Sequence, residues 1–150
     1  MEEKNTQNCT EQMLEELIKN LVMGKQSLMN IIPKAKSEKL RDELTEQLDC
    51  YGKLCDEAKA LLCSIGGEAK SENVFAKIGA KIGIEMNTLM DPSDEHVAQM
   101  VIEGATMGIT DTIRLVREYE NSKCSEDALS LARRTVSYQE KTVEDMKKYL

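Results

Sequence analysis

Apolar residues recur along the chain at spacings of three and four, the period that places side chains on one face of an α-helix. The stretch from Ser37 to Gly67 shows it best, with Leu40, Leu44, Leu48, Tyr51, Cys55, Ala58, Leu62 and Ile65 forming one stripe. Ser37 supplies a start signal and Gly66-Gly67 a stop, because glycine tolerates the left-handed backbone that closes many helices. One polar residue breaks the stripe. At roughly 100° per residue Gln47 falls inside the apolar arc, so it is expected to point inward.

The same pattern predicts further helices over about residues 10–32, 73–90, 93–120 and 125–150. Residues 1–9 lack periodicity and are expected to be a frayed tail. In the first helix Met13, Leu14, Leu17, Ile18, Leu21, Leu28, Ile31 and Ile32 form the stripe, ended by Pro33, while Gly24 and Lys25 interrupt it. Gly24 suits close approach of a neighbour, and Lys25 suits a lysine that lays its methylenes on apolar surface with the ammonium in water. The 93–120 segment opens after Asp91-Pro92-Ser93-Asp94-Glu95, carries Ala105 and Thr112 in its apolar face, and has Gly104 and Gly108 thinning one edge. Ser125-Glu126-Asp127 repeats the start signal, and Gln139 sits at the centre of the last stripe. The short link Pro33–Lys36 predicts an antiparallel hairpin of the first two helices, and the 73–90 segment, with Gly79 and Gly83 near its stripe, reads as a crossover between two hairpins.

A length of 150 residues suits one domain, 1–150. Two prolines, one Phe and no Trp leave little material for strands, so the expected class is all-α. The net charge of −7 opposes a phosphate-tracking surface, and nucleic acid is not an expected partner. No apolar run approaches the ~18 residues of a membrane span and the opening residues lack a secretory pattern, so a cytoplasmic protein without membrane contact is expected. The five cysteines, Cys9, Cys50, Cys55, Cys63 and Cys124, form an odd set without a C-x-x-C pair and are expected to be reduced thiols.

Two hairpins joined by a long crossover resemble the ferritin-like superfamily. The run Leu17-Ile18-x-x-Leu21-x-x-Gly24, the turn Ile65-Gly66-Gly67-Glu68, and Glu103-Gly104 are similar to a branch of small bacterial ferritin-like proteins. The resemblance implies a four-helix bundle and a di-iron or di-manganese carboxylate centre inside it. Such a centre takes a Glu from each of two helices and a Glu-x-x-His from each of the others. This chain has one histidine, His96, and no Glu-x-x-His. Where the family places inward carboxylates, the corresponding positions are Lys25, Gln47, Ala105 or Thr112, and Gln139, whose neutral and cationic groups do not hold two divalent ions.

The preferred reading of Lys25, Gln47, Thr112 and Gln139 is therefore a buried polar layer that fixes helix register, with a small-ligand or remnant cofactor pocket in the bundle core as the alternative. His96, Met100, Glu103 and Met107 lie along one flank at spacings of four, three and four, a donor set of the kind that suits Cu(I), although methionine is also ordinary packing material. No nucleophile constellation or phosphate-cradling loop occurs. The expected protein is a non-enzymatic, ferritin-like homo-oligomer, a dimer by preference, or a binder of a protein partner, with no cofactor. The alternative is a metal-binding or redox relative that holds iron, manganese or copper through non-standard ligands.

Overall fold

The computed structural model describes residues 2–68 and 93–150. Among these residues the secondary structure is entirely helical: α1 (Glu2–Ile31), a 3₁₀ turn (Ile32–Lys34), α2 (Glu38–Ser64), α3 (Asp94–Tyr119), α4 (Glu126–Met146) and a final 3₁₀ turn (Lys147–Tyr149). The crossover helix expected over 73–90 lies outside the described residues.

Three of the four described α-helices start on a serine whose Oγ accepts a backbone N–H three residues on: Ser37 from Leu40, Ser93 from His96 and Ser125 from Ala128. Each cap satisfies one of the amides that a helix start leaves without a partner. Asp94-Glu95 and Glu126-Asp127 add negative charge where the helix dipole is positive. At the far end of α2, Gly66 takes φ +82°, the Gly66 N–H donates to Cys63 O at 3.0 Å and the Gly67 N–H to Leu62 O at 3.0 Å. This double bond pattern closes the helix, and only glycine adopts that φ without strain.

α1 begins at Glu2, which corrects the expectation of a frayed tail over residues 1–9. Nothing in the pattern of residues 2–8 predicts this, since they carry no apolar stripe, and from Asn5 onward the first buried residues are Thr10, Met13 and Leu14. Tertiary ties hold the segment. The Gln7 amide donates to Ile65 O at the end of α2, and Cys9 is joined to Cys124 by a disulfide whose Cα atoms are 5.5 Å apart. The disulfide also corrects the expectation of five reduced thiols, leaving Cys50, Cys55 and Cys63 free. Its partners are separated by 115 positions, so no spacing rule could have paired them.

The helices pack as two hairpins, α1 with α2 and α3 with α4, with α1 also against α3 and α2 against α4. At one end of the bundle the start of α1 meets the end of α2 and the α3–α4 link, where the Ser125 N–H donates to Thr10 Oγ1 at 2.9 Å. At the other end Tyr149 donates to Glu43 at 2.8 Å, and Asp94, the first residue of α3, lies close enough to act on the Tyr149 phenol. The four helices therefore run up, down, down and up. The chain leaves α2 at one end of the bundle and enters α3 at the other, a separation set by α2, which at ~1.5 Å per residue is roughly 40 Å long.

Met13, Leu14, Leu17, Leu21, Leu40, Leu44, Leu62, Leu131 and Met146 fill the interior with no exposure. Burial of large aliphatic side chains supplies the main stabilising free energy, ~1.5–3 kcal/mol for each one fully enclosed. No described helix is long and apolar enough to cross a membrane.

A filled polar layer as the candidate functional site

The middle of the bundle carries the polar residues that interrupt its stripes. Gln47 on α2 and Gln139 on α4 are 5% and 2% exposed, and Thr112 on α3 is fully buried. All three point inward, as the helical period requires. Lys25 does not join them: its side chain is half-buried, and its ammonium is close enough to Cys55 to act on that thiol. Ala105 is buried on the same face of α3 as Thr112.

Two tyrosines complete the layer. The rings of Tyr51 on α2 and Tyr138 on α4 meet edge to face, with centroids 5.6 Å apart and planes 81° apart, the geometry favoured by aromatic quadrupoles. Tyr138 Oη donates to the backbone oxygen of Gln47 at 3.4 Å, which ties α4 to α2. The Gln139 side chain hydrogen-bonds the Tyr51 phenol.

Glycines make room for both polar side chains. A Cβ on Gly24 of α1 would lie 2.8 Å from Tyr51 Cε1, and a Cβ on Gly108 of α3 would lie 2.5 Å from Gln139 Nε2. Tyr51 and Gln139 thus occupy the volume that an ordinary side chain at those positions would take. Gly104 behaves otherwise. It is exposed, and nothing among the described residues comes within 4 Å of a Cβ at that position, so it does not thin an edge packed against them.

The layer is uncharged at neutral pH. Burial pushes the Tyr51 phenol up to about 12, with the Gln139 hydrogen bond acting against the shift. Burial also raises Tyr138, helped by the neighbouring Cys50 and Tyr51 and opposed by Thr142. The Cys55 thiol is raised by burial against the pull of the Lys59 and Lys25 ammonium groups. A buried thiol held in its protonated form is a poor nucleophile. Gln47 Oε1 and Gln139 Oε1 have no hydrogen-bond partner among the described residues, and such buried acceptors cost about 1–3 kcal/mol each. Thr112 spends its hydroxyl on Gly108 O at 2.7 Å, and Thr135 its own on Leu131 O at 2.9 Å.

The second candidate set lies outside the core. Along α3, His96 and Met100 are half-buried, Glu103 is exposed with its carboxylate accepting from Gln99 Nε2 at 3.0 Å, and Met107 is 66% exposed. Among the described residues no three His, Cys, Asp or Glu side chains come together as a metal site.

The inward faces of Gln47, Tyr51, Thr112 and Gln139 were legible from helical period, but Tyr138, its pairing with Tyr51 and the fit of Gly108 to Gln139 were not. Thr10, Thr135 and Thr142 are also buried polar residues that periodicity alone did not single out. At the disulfide end of the bundle an open cleft of about 700 Å³ is lined by Thr6, Gln7 and Thr10 of α1, Ser64 and Ile65 of α2, and Lys123 and Ser125 of the α3–α4 link. Comparison with protein-family models, curated proteins and solved structures finds no match for the chain.

Proposed function

We propose that this chain is a ferritin-like bundle without the di-metal centre of that superfamily, and that it acts by association, with a second copy of itself as the preferred partner. The ferritin-like reading is supported by the up-down-down-up order of the four helices, which demands one long crossover between two hairpins. The observation that carries the functional part is the filled mid-bundle layer. Where the superfamily places carboxylates and a cavity for two ions, this chain has Gln47, Gln139, Thr112 and a tyrosine pair, with Tyr51 and Gln139 packed into space left by Gly24 and Gly108.

Neutral amides and phenols at that position offer no anionic oxygens to hard divalent ions. They suit a different task. Hydrogen bonds that tie α2 to α4 specify one packing of the helices, so the bundle presents a rigid surface. The outer flank of α3 with the exposed Met107 is the preferred contact surface on that bundle, since an adaptable thioether suits a protein interface.

Elemental analysis together with light scattering on the eluting protein tests this reading. Metal-free protein with the mass of a dimer is the expected result, and Met107→Glu should shift it towards the monomer. About one tightly held iron, manganese or copper per chain would overturn the proposal, as would a monomer that captures no protein partner.

A further inference from the structure

The first two turns of α1 are held to the bundle in an unusual way. Residues 2–9 read Glu-Glu-Lys-Asn-Thr-Gln-Asn-Cys, without an aliphatic side chain and with several poor helix formers. From Asn5 onward, Asn5, Gln7 and Asn8 are exposed, Thr6 and Cys9 are half-buried, and Thr10 is the first fully buried residue. A helix end without an apolar face gains little from packing and is ordinarily among the first parts of a fold to open. Here the segment is helical from Glu2, and below it lies the open cleft between α1, the end of α2 and the α3–α4 link. Among the ties that hold it there are the Gln7 amide on Ile65 O and the Cys9–Cys124 disulfide. Of these, only the disulfide is covalent, and it joins two half-buried residues at the end of the bundle.

We propose that the Cys9–Cys124 disulfide is a redox-operated latch, which when oxidised pins the first two turns of α1 over the cleft and when reduced releases residues 2–9 and widens it. The step takes two electrons and two protons from a dithiol. One reductant thiolate attacks a sulfur of the pair and the S–S bond breaks with release of the other cysteine; the second reductant thiol then resolves the mixed disulfide. Cys9 and Cys124 end as thiols, and the dithiol leaves as its own disulfide. Thr10 marks where release stops, because it is buried and its hydroxyl accepts from the Ser125 N–H.

Alkylation followed by mass measurement, and hydrogen exchange read by mass spectrometry, test the latch. Protein oxidised in air should show three free thiols, and five after treatment with dithiothreitol. On reduction, amides of residues 2–9 should exchange about tenfold faster or more, while those of Met13–Leu21 stay protected over the same minutes. The Cys9→Ser/Cys124→Ser variant should show the fast pattern with or without dithiothreitol. Cys63→Ser, which removes the remaining exposed thiol, should keep the response of the natural chain. Five alkylated thiols in the oxidised protein, equal exchange of residues 2–9 in both states, or loss of protection throughout the bundle on reduction would each overturn the latch. None of these outcomes depends on whether the bundle associates.

Discussion

Replacing Gly24 and Gly52 separately by alanine isolates the packing of the polar layer from helix propensity. Both glycines sit inside helices, so each substitution gains ~1 kcal/mol from propensity. Their surroundings differ. Among the described residues a Cβ at Gly52 meets nothing within 4 Å, whereas one at Gly24 lies 2.8, 3.2 and 3.3 Å from Cε1, Cδ1 and Cζ of Tyr51. Carbon atoms settle at about 3.5–4.0 Å, so the nearest contact overlaps by several tenths of an ångström or more. The ring cannot simply retreat, because it is 4% exposed and packed against Tyr138. Forcing extra volume into such a site costs ~1–3 kcal/mol. Gly52→Ala is therefore expected to stabilise by about 1 kcal/mol, and Gly24→Ala to range from neutral to about 2 kcal/mol less stable. With an m-value of about 2 kcal/mol/M, the two urea midpoints should lie roughly 0.5–1.5 M apart, as read by far-ultraviolet circular dichroism. In a Tyr51→Leu background the gap should shrink, since the ring that a Cβ would strike is gone. Equal stabilisation by the two alanines would refute the wedge of Tyr51 against Gly24.

Two further outcomes concern the same layer. Gln139→Leu leaves the buried Tyr51 phenol without its hydrogen-bond partner and should cost about 1–3 kcal/mol; an unchanged urea midpoint would remove Gln139 from the layer's support. Stability should also fall in alkali, because above pH 10 the unfolded chain gives up the Tyr51 proton that the folded chain keeps until about 12. The contribution is fully present below pH 10 and lost as pH rises through the folded value, amounting to about 3 kcal/mol for a shift of this size. Absorbance at 295 nm tests it: titration of all four tyrosines near pH 10 in the folded protein would contradict the burial of Tyr51.

Helix starts and stops were readable in the chain because caps are local chemistry. Ser37, Ser93 and Ser125 each bond an amide three residues away, and Gly66 closes α2 through its own φ, so the ends of α2, α3 and α4 lie within a few residues of those expected. The inward direction of Gln47, Thr112 and Gln139 was equally readable, because it follows from the period of their own helices. Lys25, grouped with them in the expected layer, is half-buried and stands outside it.

What lay beyond the sequence was every relation between residues that different helices bring together. Gly104 and Gly108 are alike in the sequence, four positions apart on one helix, yet one is exposed and the other receives Gln139 from α4. The helical order of residues 2–9 depends on Ile65 and Cys124, neither of which is a neighbour in the chain. Periodicity determined which face of each helix turns inward, since that is a property of 3.6 residues per turn. Only the antiparallel register of α2 on α4 and the meeting of three chain segments at one end of the bundle decided which side chains share that interior. The reason is physical: helical order arises from backbone bonds a few residues long, whereas a packed layer or a disulfide arises where whole helices come to rest against one another.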